Sequence, residues 1–133
     1  MCNNNNNNSI YEILQVILLL QQNANCNDIC LETCDRGFLG CGATCISCNT
    51  RPLMLYTCSS GSTPLSFPIS KAYDETTTSN IFRLEKLDEN TATFRVLVLN
   101  PDNTLSGTNS FFTISLSCLC IIRCLNDTFV ETI

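Results

Sequence analysis

Apolar residues follow a helical period near the N-terminus of this chain and a period of two from Arg51 onward. Ile10, Ile13, Leu14 and Ile17 share one helical face, while Tyr11, Val16, Leu18, Leu19 and Leu20 carry the apolar surface most of the way round. Such a helix needs partners on more than one side, which suits either a core position or a contact between subunits. Ser9 and Glu12 stand at the capping-box spacing, so the pattern predicts a helix over about residues 9–24. Ahead of it, Asn3 to Asn8 form a low-complexity tract with nothing to bury, and residues 1–8 read as a flexible tail.

The strand signals begin with Pro52 to Cys58 and Leu65 to Ile69, around a turn at Gly61-Ser62, with Pro64 and Pro68 marking the second as an edge or irregular strand. Ile81 to Leu87 alternates, Asp88-Glu89-Asn90 turns the chain, and Thr91 to Leu99 places Ala92, Phe94, Val96 and Val98 on one face. Arg83, Glu85, Lys86 and Arg95 are placed for charge pairs across this hairpin. Asn100 to Ser110 is a polar loop with Pro101 and Gly107. Phe111 to Ile122 is a long last strand with Phe112, Ile114, Leu116, Cys118, Cys120 and Ile122 on one face. The predicted fold is mainly β: a small antiparallel β-sandwich or barrel with one N-terminal α-helix, forming a single domain over residues 9–133. Within it a cysteine-rich connection covers residues 26–50 and the β domain residues 51–125.

Cysteine usage changes that picture most. Eleven cysteines fall in two zones, Cys2, Cys26, Cys30, Cys34, Cys41, Cys45, Cys48 and Cys58 in the first, and Cys118, Cys120 and Cys124 in the second. An odd number leaves a thiol over after pairing within one chain, so a free thiol or a bond to another molecule is expected. If Cys26, Cys30 and Cys34 lie on a helix, steps of four align them with Cβ atoms about 5–6 Å apart. That exceeds the disulfide spacing of about 3.5–4.5 Å, so the stripe is better placed to bond elsewhere. Cys118 and Cys120, two apart on a strand, are expected to point inward together, and Cys124 is the better cross-link candidate. Cys2, on its asparagine tether, is another. All eleven are candidate cross-linking residues.

With 133 residues and 44% hydrophobic content, the chain can bury a moderate core without disulfides. Density of cysteine usually implies an oxidising compartment, yet no signal peptide is visible at the N-terminus. The run Val16 to Leu20 is far shorter than the roughly 20 residues that span a bilayer, so membrane insertion is not expected. A net charge of −5 with seven scattered basic residues provides no stripe for phosphates, which speaks against nucleic-acid binding. Cys30, Cys34, Cys41, Cys45 and Cys48 offer enough thiolates for a zinc site, but a second well-spaced knuckle is missing. Cys45-Ile46-Ser47-Cys48 lacks the strand-helix context of a redox pair, and with no histidine the usual general base is absent. The acidic pairs Asp74-Glu75 and Asp88-Glu89 read as solvated turns. No enzyme activity, metal or cofactor is expected.

Four stretches together carry a resemblance: Phe38-Leu39-Gly40, Asn49 to Thr57, Ile81-Phe82-Arg83-Leu84-Glu85, and Leu116 to Leu125 with its Cys-x-Cys-x3-Cys-Leu ending. In order and spacing the chain resembles the CotY/CotZ/ExsY family of cysteine-rich proteins of the bacterial spore outer coat or exosporium. The resemblance implies a structural protein that assembles with itself into a two-dimensional lattice, later locked by disulfides between subunits. It implies synthesis in the mother-cell cytoplasm without a signal peptide, a final place on the spore surface, and other spore-surface proteins as further partners. Cys118, Cys120 and Cys124 carry over as residues of the family-like ending, without assigned partners. The alternative function is a small zinc-binding adaptor that recruits other proteins.

Overall fold

The computed structural model describes residues 7–22, 48–131 and 133. Among these residues one helix, α1 (Asn7–Gln22), precedes seven strands: β1 (Leu53–Thr57), β2 (Phe67–Pro68), β3 (Thr78–Ser79), β4 (Ile81–Leu87), β5 (Thr91–Leu99), β6 (Leu105–Ser115) and β7 (Leu119–Cys124). The mainly β, antiparallel architecture with an N-terminal helix is as the patterning predicts. A five-stranded sheet runs in the order β6-β5-β4-β1-β7, beside a two-stranded ribbon of β2 and β3. The large sheet stays open, so it is not a closed barrel.

Helix α1 begins at Asn7, two residues earlier than the capping-box spacing predicts. Ser9 therefore lies inside the first turn, and the last two asparagines of the tract belong to the helix and not to a tail. Its Leu14 and Ile17 are fully buried against the sheet, with Ile10, Tyr11 and Leu18 packed around them. At its end the buried Gln21 forms a fork: its amide Nε2 donates to the Leu84 carbonyl at 2.9 Å, and its Oε1 accepts from the Arg51 N–H at 3.0 Å. One side chain thus pins the helix to β4 and to the start of β1.

The β4–β5 hairpin lies where the alternation puts it, with Phe82 and Leu84 from β4 and Ala92, Phe94 and Val96 from β5 buried on the helix side. Phe112 of β6 sits at the centre of an aromatic group, stacked on Phe67 of the ribbon at 4.5 Å and edge-on to Phe82 at 4.9 Å. The helix and ribbon cover different parts of the same sheet face, and this shared face is the main core.

The end of the chain departs from the expected pattern. The loop after β5 spans only the residues from Asn100 to Thr104, where Asn103 takes a left-handed φ of 70° and Asn100 N–H donates to Thr104 O at 2.7 Å. β6 then starts at Leu105, taking in polar residues assigned above to a loop. The expected strand from Phe111 to Ile122 is broken by a 3-10 turn, Leu116–Cys118. Leu116 is fully buried there, and its N–H donates to Asn90 O at the tip of the β4–β5 hairpin, 2.9 Å away. Beyond the turn β7 pairs with β1 while β6 pairs with β5, so the two halves lie at opposite edges of a curled sheet. The strand from Leu65 to Ile69 is reduced to Phe67–Pro68.

The far face of the sheet carries charge. Arg83 and Arg95 are directly paired across β4 and β5, and Glu85 Oε2 accepts from both, from Arg83 Nη1 and Arg95 Nε at 2.8 Å each. These three side chains are only 12%, 13% and 21% exposed, so the expected surface charge pairs are a half-buried network. Arg83 also donates to Thr50 Oγ1 and Asn49 O, and Arg95 to Thr108 O while lying 4.4 Å over the Phe111 ring. Lys86 pairs instead with Asp88 at the exposed turn, at 3.9 Å.

Candidate functional site

Among the described residues, the chemistry-bearing side chains gather where β7 forms one border of the sheet. β7 runs antiparallel to β1 with Leu53 opposite Cys124, Leu55 opposite Ile122, and a register shift near Thr57 that leaves Cys120 without a partner on β1. That bulge turns Cys120 outward while Leu119 stays buried, and Cys120 bonds to Cys58 just past the end of β1. Cys118 is disulfide-bonded as well. The expectation that Cys118 and Cys120 share one inward-facing strand position is thus corrected: the first lies in the 3-10 turn, the second on a bulge.

Cys124 is an exposed free thiol at the end of β7. Next to it the chain is clamped by Arg51, whose Nε and Nη2 donate to the two oxygens of Asp127 at 2.7 and 2.8 Å. This bidentate bond holds the Asp127 carboxyl below its ordinary value, against the opposing effect of partial burial. The same hydrogen bond raises Arg51, with a smaller contribution from nearby Cys124. Asn49 extends the clamp: its amide donates to Val130 O and its oxygen accepts from the Val130 N–H at 2.9 Å. Residues beyond Cys124 are therefore fastened antiparallel beside residues 49–52, just ahead of β1, an arrangement with no periodic signal to reveal it.

Cys48 is half-buried at the other end of this clamp. Cys2, Cys26, Cys30, Cys34, Cys41 and Cys45 lie outside the described residues, as do the candidate helical stripe of Cys26, Cys30 and Cys34 and most of the zinc constellation. Among the described residues no group of three or more histidine, cysteine or carboxylate side chains could hold a metal. A cleft of about 600 Å³ is lined in part by Asp102, Asp127 and Glu131, but Asp102 accepts from Thr104 and Asp127 from Arg51. Among the described residues no helix is long and apolar enough to cross a membrane.

A second surface stands out on the outer side of α1. Ile13, Val16, Leu19 and Leu20 are about half exposed, at 48%, 56%, 56% and 48%. The helix thus has one apolar face in the core and another turned outward.

Residues 1–106 match the family model of spore coat protein Z. The chain belongs to this family. A spore-surface structural role follows from that membership, in agreement with the resemblance drawn from the sequence. The matched stretch stops before Cys118, Cys120 and Cys124, so the cysteine ending that gave the resemblance its most specific part is not what establishes the family. No curated protein and no solved structure matches the chain.

Proposed function

We propose that this protein is a non-catalytic subunit of the spore outer coat or exosporium, one that tiles with copies of itself into an extended layer and is then cross-linked by disulfides between subunits. Membership of the spore coat protein Z family carries this reading. Two features of the molecule fit it. The outer face of α1 offers apolar area for a reversible contact, and Cys124 offers an exposed thiol on a border strand after Cys58 and Cys120 have bonded to each other. The order of events has a physical logic. Non-covalent contacts can separate and correct themselves while thiols are reduced, and oxidation then blocks dissociation.

Other spore-surface proteins are the further partners, with synthesis in the mother-cell cytoplasm preceding oxidation in place. The test is negative-stain electron microscopy of purified protein, with gels run after boiling with and without reductant. Ordered sheets whose high-molecular-weight ladder collapses only with reductant are expected. A monodisperse monomer, identical on both gels, overturns the proposal.

A further inference from the structure

We infer that the outer edge of β7 pairs antiparallel with the same edge of a second copy, centred on Cys124, so that two Cys124 side chains meet across a two-fold axis. The inference rests on the self-assembly reading above and names a contact that the reading leaves open. β7 has β1 on one side and no described strand on the other. Leu125 N–H donates to Pro52 O, which fixes the phase of the ladder. By antiparallel alternation the backbone groups of Ile121 and Arg123 then face β1, and those of Ile122 and Cys124 face outward. No described residue bonds to these outward groups. An edge offering N–H and C=O at alternate residues is a template for another strand.

Symmetry and charge disfavour two neighbouring registers, and the exposed free thiol of Cys124 singles out the one proposed. A pair centred on Arg123 would set two guanidinium groups directly opposite, which is unfavourable. One centred on Ile122 would put Cys124 opposite a Cys120 that is already bonded to Cys58. Centring on Cys124 places Arg123 opposite Leu125 and Ile122 opposite Asn126 of the second copy, with no like charges facing. Directly opposed residues in a hydrogen-bonded antiparallel pair have Cα atoms about 5.5 Å apart, inside the disulfide range of about 4.4–6.8 Å. Their Cβ atoms stand at the wide end of about 4.5–5.5 Å, so the bond draws the two strand ends closer locally to reach about 3.5–4.5 Å. Only a second copy of this chain brings an identical thiol to that axis. With a small-molecule disulfide as oxidant, one S–S bond forms between the two Cys124 sulfurs. The oxidant's own S–S bond breaks, and its two sulfurs leave as thiols carrying the two protons.

Trypsin makes the bond readable, because cleavage after Arg123 releases residues 124–133, a peptide with Cys124 as its one cysteine. Full-length protein is assembled under reductant, oxidised with oxidised glutathione, alkylated, unfolded without reductant and digested. The expected product is this peptide joined to itself, absent in Cys124→Ser. In a Cys124→Ser/Leu125→Cys double variant the two thiols are staggered along the strands, so the joined peptide falls at least tenfold. Equal yield from that variant means random collision and overturns the register. Recovery of the wild-type peptide as alkylated thiol, or bonded to glutathione or another cysteine peptide, overturns the contact. Sheets that form without the joined peptide sink this inference alone. The joined peptide from a species no larger than a dimer upholds the contact and sinks the extended layer, and neither product sinks both.

Discussion

Replacing Glu85 with glutamine tests the half-buried network on the far face of the sheet, since the substitution keeps the side chain's shape and removes its charge. Glu85 Oε2 is the shared acceptor for Arg83 and Arg95, which face each other directly in the β4–β5 register. Hydrogen bonds to charged groups contribute about 1.5–3 kcal/mol each, but two that share one oxygen do not add fully. The three side chains keep 12–21% of their exposure, so water relieves part of the loss. A destabilisation of about 2–4 kcal/mol follows. For a chain of this size each kcal/mol lowers Tm by about 3–5 °C, giving a fall of roughly 6–20 °C. Thermal unfolding of dilute, unassembled protein followed by circular dichroism measures it. The cause is isolated by repeating the substitution in an Arg95→Met background, where the facing like charges are gone. There Glu85→Gln should cost less by about 1–3 kcal/mol. A cost below about 0.5 kcal/mol in the wild-type background, or strict additivity in the cycle, refutes the claim that Glu85 holds two opposed arginines together.

Further outcomes follow from other parts of the molecule. The Cys58–Cys120 bond closes a loop with a sequence separation of 62, and replacing both residues with serine should lower stability by about 4 kcal/mol in denaturant titrations on the chain-entropy estimate. Phe112→Ala removes the centre of the aromatic group and should cost about 3–5 kcal/mol, seen as a lower denaturation midpoint with unchanged slope. Gln21→Ala strips the partners of Leu84 O and Arg51 N–H, and amide exchange at Arg51 should accelerate. Because Asp127 has a lowered folded-state pKa, the Arg51–Asp127 clamp contributes stability above the ordinary carboxylate range, lost as pH falls through the lowered value. Proteolysis beyond Cys124 should therefore rise below about pH 4, and Asp127→Asn should show the higher rate at neutral pH. Equal rates at neutral pH for both proteins would exclude the clamp.

How far the fold was legible depends on whether local pattern and pairing agreed. In β4 and β5 they did: alternation, a polar turn and two long apolar runs specify the hairpin without help from the rest of the chain. In the last third they did not. Alternation continues unbroken from Phe111 to Ile122 with no glycine or proline to mark a bend, yet Leu116 bends the chain by entering the core and bonding to Asn90. Conversely, Ser106, Gly107, Thr108 and Asn109 look like loop but form strand, because pairing with β5 supplies what their side chains do not. The same limit applied to the site. Exposure of Cys124 followed from its place beyond the alternation, whereas the bond between Cys58 and Cys120 depends on a bulge that only tertiary pairing creates.

The fork at Gln21 has a bearing on how such a chain can change. Gln21 Oε1 and Arg51 N–H are 3.0 Å apart, so the stretch between them, with six of the eleven cysteines, starts and finishes at nearly one point. The length of a connection between neighbouring points is not dictated by the body it joins, and doubling it costs only about 0.6 kcal/mol in closure entropy. The number of residues between those two points can thus change while Gln21 still ties the helix to the sheet. The count of residues between α1 and β1 is therefore not dictated by the shape of the β domain.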